Sequence, residues 1–139
     1  MLVVGRIEWI QARLDAALRP LFAEAGLGNG DFTALSALRR AGPPYALSPG
    51  ELATAMLVTT GAVTKRVDRL LAQGLVTRGL AASDGRGRVV ALTERGRELV
   101  DRLIERHLAN ERRLVGALTA LERRRLAELL HLLAVSLDG

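Results

Sequence analysis

The 139-residue chain contains no cysteine. That excludes a disulfide framework, a thiolate zinc site, a cysteine nucleophile and a thiol redox switch. Lysine is nearly absent: nineteen of the twenty basic residues are arginine, and Lys65 is the exception. Trp9, Phe22, Phe32 and Tyr45 are the only large aromatic rings. Long apolar runs are missing too. The longest uncharged stretch, Leu52 to Thr64, has thirteen residues, short of the roughly 20 that span a bilayer. The start, MLVVGRIEWI, has no basic segment ahead of its apolar residues, so no secretory signal and a cytoplasmic location are expected, with no membrane partner. His107 and His131 are the only histidines. They lie on separate expected helices, which suits core or interface roles better than a metal centre.

Signs of catalysis are also lacking. There is no Ser/His/Asp order, no glycine-rich phosphate loop and no paired carboxylates in a plausible cleft. Gly26-Leu27-Gly28 follows a helical pattern, not a strand, and is no dinucleotide loop. The expectation is a protein without enzymatic activity or cofactor.

What is present is a globular composition, 49% hydrophobic and 25% charged, over a length that suits one domain, 1–139. The net charge of +5 is unevenly placed. Residues 48–97 hold eight basic residues (Lys65, Arg66, Arg69, Arg78, Arg86, Arg88, Arg95, Arg97) and four acidic ones (Glu51, Asp68, Asp84, Glu94), a local excess of +4. The rest of the chain carries only +1. GC-rich coding accounts for arginine over lysine, but not for this clustering, which is the footprint of a polyanion site.

Apolar residues at Ile7, Ile10, Leu14, Leu18, Leu21, Phe22 and Ala25 predict a helix from Gly5 to Ala25, stopped by Gly26-Leu27-Gly28-Asn29-Gly30. Asp31 is the expected cap of a second helix ending near Ala41-Gly42-Pro43-Pro44. Ser48-Pro49-Gly50-Glu51 has the spacing of a capping box, with proline at the first helical position. That short helix runs through Met56. After Leu57-Val58, Thr59 or Thr60 caps another, ended by Gly74. Val63, Val67, Leu70 and Leu71 form its buried stripe, while Thr60, Gly61, Thr64, Lys65 and Asp68 form a slim polar side. Two short helices with a tight turn and a thin polar face make a helix-turn-helix pattern.

A hairpin follows: Leu75 to Leu80, a Ser83-Asp84-Gly85 turn, then Val89 to Leu92. Arg86 and Arg88, two apart in an extended segment, project on one side. Thr93 caps a long helix through about Ala117, and Thr119-Ala120-Leu121-Glu122 opens the last. The final helix is apolar nearly all round, and mean hydropathy is +0.17. Such a helix must be covered on more than one side, and a second subunit is the simplest cover. The fold class expected is mainly α with a small β-hairpin wing, a winged helix-turn-helix lobe over 31–92 flanked by dimerisation helices 1–25 and 93–139.

This order, densest in LSPGELATAMLVTTGAVTKRVDRLLAQGLVTR and SDGRGRVVALTERG (residues 47–96), resembles the MarR (multiple antibiotic resistance regulator) family of bacterial winged-helix repressors. The Asp84-x-Arg86 pair stands before Leu92-Thr93-x-x-Gly96 as in that family's wing; Gly87 and the Gly61-Ala62 start are departures. The resemblance implies a homodimer on double-stranded DNA with a pseudo-palindromic operator. A recognition helix would lie in the major groove and a wing at the minor groove. Arg86 becomes the wing-tip contact, aimed by Asp84. Thr60, Gly61, Thr64 and Lys65 meet bases or flanking phosphates, and Arg66, Arg69, Arg78 and Arg88 are candidates for backbone contact. A pocket for a small apolar or aromatic effector would draw on Trp9, Phe22, Leu35, Leu38 and Tyr45. The missing cysteine removes the family's peroxide-sensing thiol branch.

Other readings of the same residues stay open. Arg86 and Arg88 also suit a merely solvated hairpin tip, and Arg66 and Arg69 also suit salt bridges with nearby acids. At the level of function, the alternative is a winged-helix protein-interaction module whose DNA binding is weak or lost.

Overall fold

The computed structural model describes residues 2–80 and 87–138. The chain divides into two compact units, Met1–His107 and Leu108–Gly139. The helices are α1 (Leu2–Glu24), α2 (Asn29–Arg40), α3 (Pro49–Met56), α4 (Thr60–Ala72), α5 (Glu94–Leu114) and α6 (Ala120–Asp138). Three strands, β1 (Ala46–Leu47), β2 (Val76–Leu80) and β3 (Arg88–Leu92), pair antiparallel in the order β1-β3-β2. Among the described residues no helix is long and apolar enough to cross a membrane.

The core of the first unit gathers Phe22 from α1, Leu35 and Leu38 from α2, Leu52 from α3, Leu70 from α4 and Val90 from β3. Each of these is essentially removed from water. Only the C-terminal end of α1 takes part, through Leu21 and Phe22. Its first half leaves Val3, Trp9 and Ile10 exposed. In the second unit α6 carries Leu126, Leu129, Leu130, Leu133 and Leu137 on one stripe, all exposed.

Local capping chemistry sets most boundaries. Ser48 Oγ accepts from Glu51 N at 3.1 Å and Glu51 Oε1 accepts from Ser48 N at 3.0 Å. Thr119 and Glu122 repeat the exchange at 3.2 and 2.7 Å. Hydrogen bonds from the cap's backbone N–H and side chain hold both glutamates below the usual carboxylate range. A depressed folded pKa means that the contribution is present above the unfolded value, about 4.3, and is lost as pH falls through the folded value. Thermal melts should therefore show stability declining on acidification below about pH 4.3, and Glu51→Gln should flatten part of that decline. An unchanged acid profile in Glu51→Gln would show that the box contributes nothing.

Three expectations need correction. Asp31 is not the cap of α2: the helix begins at Asn29, Gly28 is the cap, and Asp31, in the first turn, accepts from Gly28 N at 3.0 Å. A carboxylate at the third helical position satisfies the same orphan donors from inside. Helix α1 starts at Leu2, not Gly5, and α5 stops at Leu114 rather than Ala117. Strand β1 was not foreseen. It is two residues long, and it exists only because Ala46 and Leu47 pair with Ala91 and Val90.

The start of α5 is fastened to the end of α4. Gly74, at φ 71, ends α4. Thr93 N donates to Leu75 O at 3.0 Å and Thr93 Oγ1 donates to Gly74 O at 2.7 Å. The same hydroxyl accepts from Gly96 N at 3.0 Å. A Cβ on Gly96 would collide with the Leu75 carbonyl, so only glycine permits this approach.

Candidate nucleic-acid interface

The turn between α3 and α4 is a Schellman motif. Leu57 N donates to Thr54 O at 3.2 Å and Val58 N to Ala53 O at 3.1 Å. Leu57 takes the left-handed conformation, φ 57 and ψ 45. For a non-glycine residue this costs about 1–2 kcal/mol. Thr59 then caps α4, its hydroxyl accepting from Ala62 N at 3.2 Å.

Val63, Val67 and Leu70 seat α4 in the core, which fixes what it shows to solvent. Thr60, Gly61, Thr64, Lys65 and Asp68 form the exposed side, as their spacing predicted. Thr64 Oγ1 donates to Thr60 O at 3.1 Å, so what its exposed hydroxyl has left to offer is acceptor capacity.

Arg66 and Arg69 lie toward α2. Arg66 folds its guanidinium over Gly30 in the first turn of α2. Arg69 Nη2 meets Asp31 Oδ1 at 2.6 Å. Asp31 is only 3% exposed, and a carboxylate so placed requires a cation or several donors. The salt-bridge reading of Arg69 thus has its partner, while the half-exposed guanidinium keeps other donors for a second contact. Arg69→Ala should lower stability by about 1–3 kcal/mol, since it leaves a buried carboxylate with one fewer donor. Denaturant unfolding measures this, and a change within error would mean that water replaces the guanidinium freely.

The wing base stands beside α4. Arg78 on β2 donates to Asp68 Oδ1 at 2.9 Å. In the β2–β3 register Leu80 pairs with Arg88, so Arg78, Leu80 and Arg88 share one face of the ribbon. They line a shallow cleft of about 250 Å³ with Gly79. Among the described residues, Lys65 and Arg88 have no ion-pair partner. Asp84 and Arg86 lie outside the described residues.

Of the five residues expected around an effector, Phe22, Leu35 and Leu38 share the core, while Trp9 and Tyr45 lie outside it. Phe22, Leu35 and Leu38 are packed core side chains, and Trp9 is exposed on α1 with the Arg13 guanidinium 4.4 Å above its ring. Tyr45 sits after the Gly42–Pro44 turn, with the guanidiniums of Arg39 and Arg97 at 5.0 and 5.7 Å from its ring. Asp101 accepts from Arg39 Nε at 2.8 Å and raises the Arg39 pKa further. His107 packs against Phe22 and Phe32, at 5.6 and 4.8 Å between ring centroids. Sequence reasoning missed the Asp31–Arg69 and Asp68–Arg78 pairs. The first joins residues 38 apart in the chain, beyond the reach of local pattern.

A winged helix-turn-helix with a basic, exposed helix start has counterparts among known proteins. The model of the MarR family matches residues 25–87. The chain is 34% identical to the HTH-type transcriptional regulator PecS of Dickeya dadantii over 130 residues, covering 94% of this chain and 78% of PecS. Sco3205, a MarR family transcriptional regulator from Streptomyces coelicolor solved in complex with DNA, is 28% identical with a TM-score of 0.87. The match covers 99% of this chain and 87% of Sco3205. Bordetella bronchiseptica BpsR, whose DNA binding is regulated by 6-hydroxynicotinic acid, is 25% identical with a TM-score of 0.83. That match covers 95% of this chain and 92% of BpsR. The chain belongs to the MarR family of transcriptional regulators.

Proposed function

We propose that this chain is a cytoplasmic repressor that binds a pseudo-palindromic operator as a homodimer. The observation that carries the reading is the Asp68–Arg78 pair, which places the polar side of α4 and the wing base against one another. One duplex can then meet both. Thr60, Gly61, Thr64 and Lys65 enter the major groove, where base edges are distinguishable. Arg78 and Arg88 approach phosphates, joined by Arg66 and Arg69 at the rear of the helix, and Arg86, oriented by Asp84, reaches the minor groove. Residues 31–92 supply this lobe, and 1–25 with 93–139 supply the dimer contacts.

The exposed leucine stripe of α6 supports the dimer, because a soluble chain rarely leaves so much apolar surface open. BpsR's regulation by a small aromatic acid supports relief by an effector of comparable chemistry.

Selection of bound sites from a random DNA pool tests the reading. Half-site centres should stand about 10–10.5 base pairs apart or a multiple of that. Lys65→Ala should weaken operator binding by about 1–3 kcal/mol if it meets a base. Arg88→Ala should instead reduce the slope of log affinity against log salt by about one. Wild-type affinity and slope in both variants would remove these two residues from the interface. Tight capture of a protein partner with no salt-dependent DNA binding would favour the interaction-module reading.

A further inference from the structure

Among the described residues, all but two of the exposed large apolar side chains lie in the first fourteen residues or beyond residue 107. The exceptions are Leu57 and Leu80, and both stand at the candidate interface. Leu80 shares its cleft with Arg78 and Arg88, whose aliphatic stems are apolar neighbours. Leu57 is different. It is 75% exposed and holds a positive φ that leucine disfavours.

The turn does not need leucine. Its hydrogen bonds come from backbone groups of Leu57 and Val58, and glycine or asparagine would meet them with less strain. Val58, the next residue, turns inward and packs on the core, so the turn directs Leu57 out. A residue that is both strained and solvated, two positions ahead of the cap of the recognition helix, is oriented for something outside the protein.

We propose that Leu57 is a specificity-determining side chain of the operator interface and that it reads a thymine methyl group. The N-terminal end of a recognition helix is the end that meets base edges. The thymine C5-methyl is the apolar mark on the major-groove edge, and apolar side chains read it. This assignment rests on the DNA-binding reading above.

The test uses the full-length protein and the operator it selects. Each thymine is replaced in turn by deoxyuridine, which removes only the methyl group, and binding is measured at fixed salt for the wild type, Leu57→Ala and Leu57→Gly. One thymine per half-site should be sensitive, its replacement weakening wild-type binding about 4-fold per half-site, the worth of one buried methyl. Leu57→Ala, which loses the contact in both half-sites, should bind the unmodified operator about 16-fold more weakly and be indifferent to that replacement. Leu57→Gly should melt about 2–5 °C higher than the wild type, from relief of strain, yet bind more weakly. Opposite signs on stability and affinity separate a reading role from a structural one. The proposal is overturned if Leu57→Ala keeps wild-type affinity, or if every deoxyuridine effect persists in it. A wild type that selects no sequence at all overturns the underlying DNA-binding reading as well, and shows itself before any substitution is made.

Discussion

Leu130→Asp should convert the protein to a monomer in sedimentation or light scattering and weaken operator binding by about 10²-fold or more. Leu130 lies in the middle of the α6 stripe with Leu126, Leu129, Leu133 and Leu137, all exposed in a single chain. Apposing two such stripes buries them, and a carboxylate in the middle would be buried without a partner, at a cost of several kcal/mol. DNA affinity falls with the dimer because one half-site then acts alone, and linking two modest contacts yields a gain of about 10²–10⁴. Leu130 lies outside residues 31–92 and is not among the buried core residues, so the melting transition of the first unit should be retained. A dimer that survives Leu130→Asp with wild-type operator affinity would move the interface elsewhere.

Gly96→Ala is the second large effect. The added methyl would meet the Leu75 carbonyl, a backbone atom that already accepts from Thr93 N. Neither side can yield without loosening the junction of α4, β2 and α5. Overpacking of this kind costs about 1–3 kcal/mol, a fall in melting temperature of roughly 3–10 °C for a chain this long. Thr93→Val, which deletes the hydroxyl bonded to Gly74 O and Gly96 N, should act on the same junction. The double variant should therefore lose less than the sum of the two. A wild-type melt for Gly96→Ala would show that the helix shifts at little cost, and additive losses would show that the two residues act independently.

The contrast between these two positions shows what the sequence made legible. Repeating apolar residues revealed the α6 stripe, because helical period alone places Leu126, Leu129, Leu130 and Leu133 together. Caps were readable for the same reason: Ser48 with Glu51, and Thr119 with Glu122, act across three residues. Gly96 was visible only as part of a family motif. Its physical reason, the approach to Leu75, joins segments that local pattern does not connect. Asp31 illustrates the same boundary. Its residue type announced a helix start, yet which donor it satisfies and its bond to Arg69 depend on how α2 meets α4. Strand β1 has too few residues to carry a period and is defined by its partner. At the candidate interface, the exposed side of α4 followed from the buried one, whereas the strained outward Leu57 depended on a backbone angle.

The scarcity of lysine gives Lys65 a practical use. Apart from the chain's α-amino group, its exposed side chain on α4 is the sole primary amine of the protein. Reductive methylation with ¹³C-formaldehyde would install one side-chain NMR reporter on the exposed side of α4, where the operator contact is proposed, while preserving the positive charge. Its resonance would record operator occupancy in solution without any engineered label.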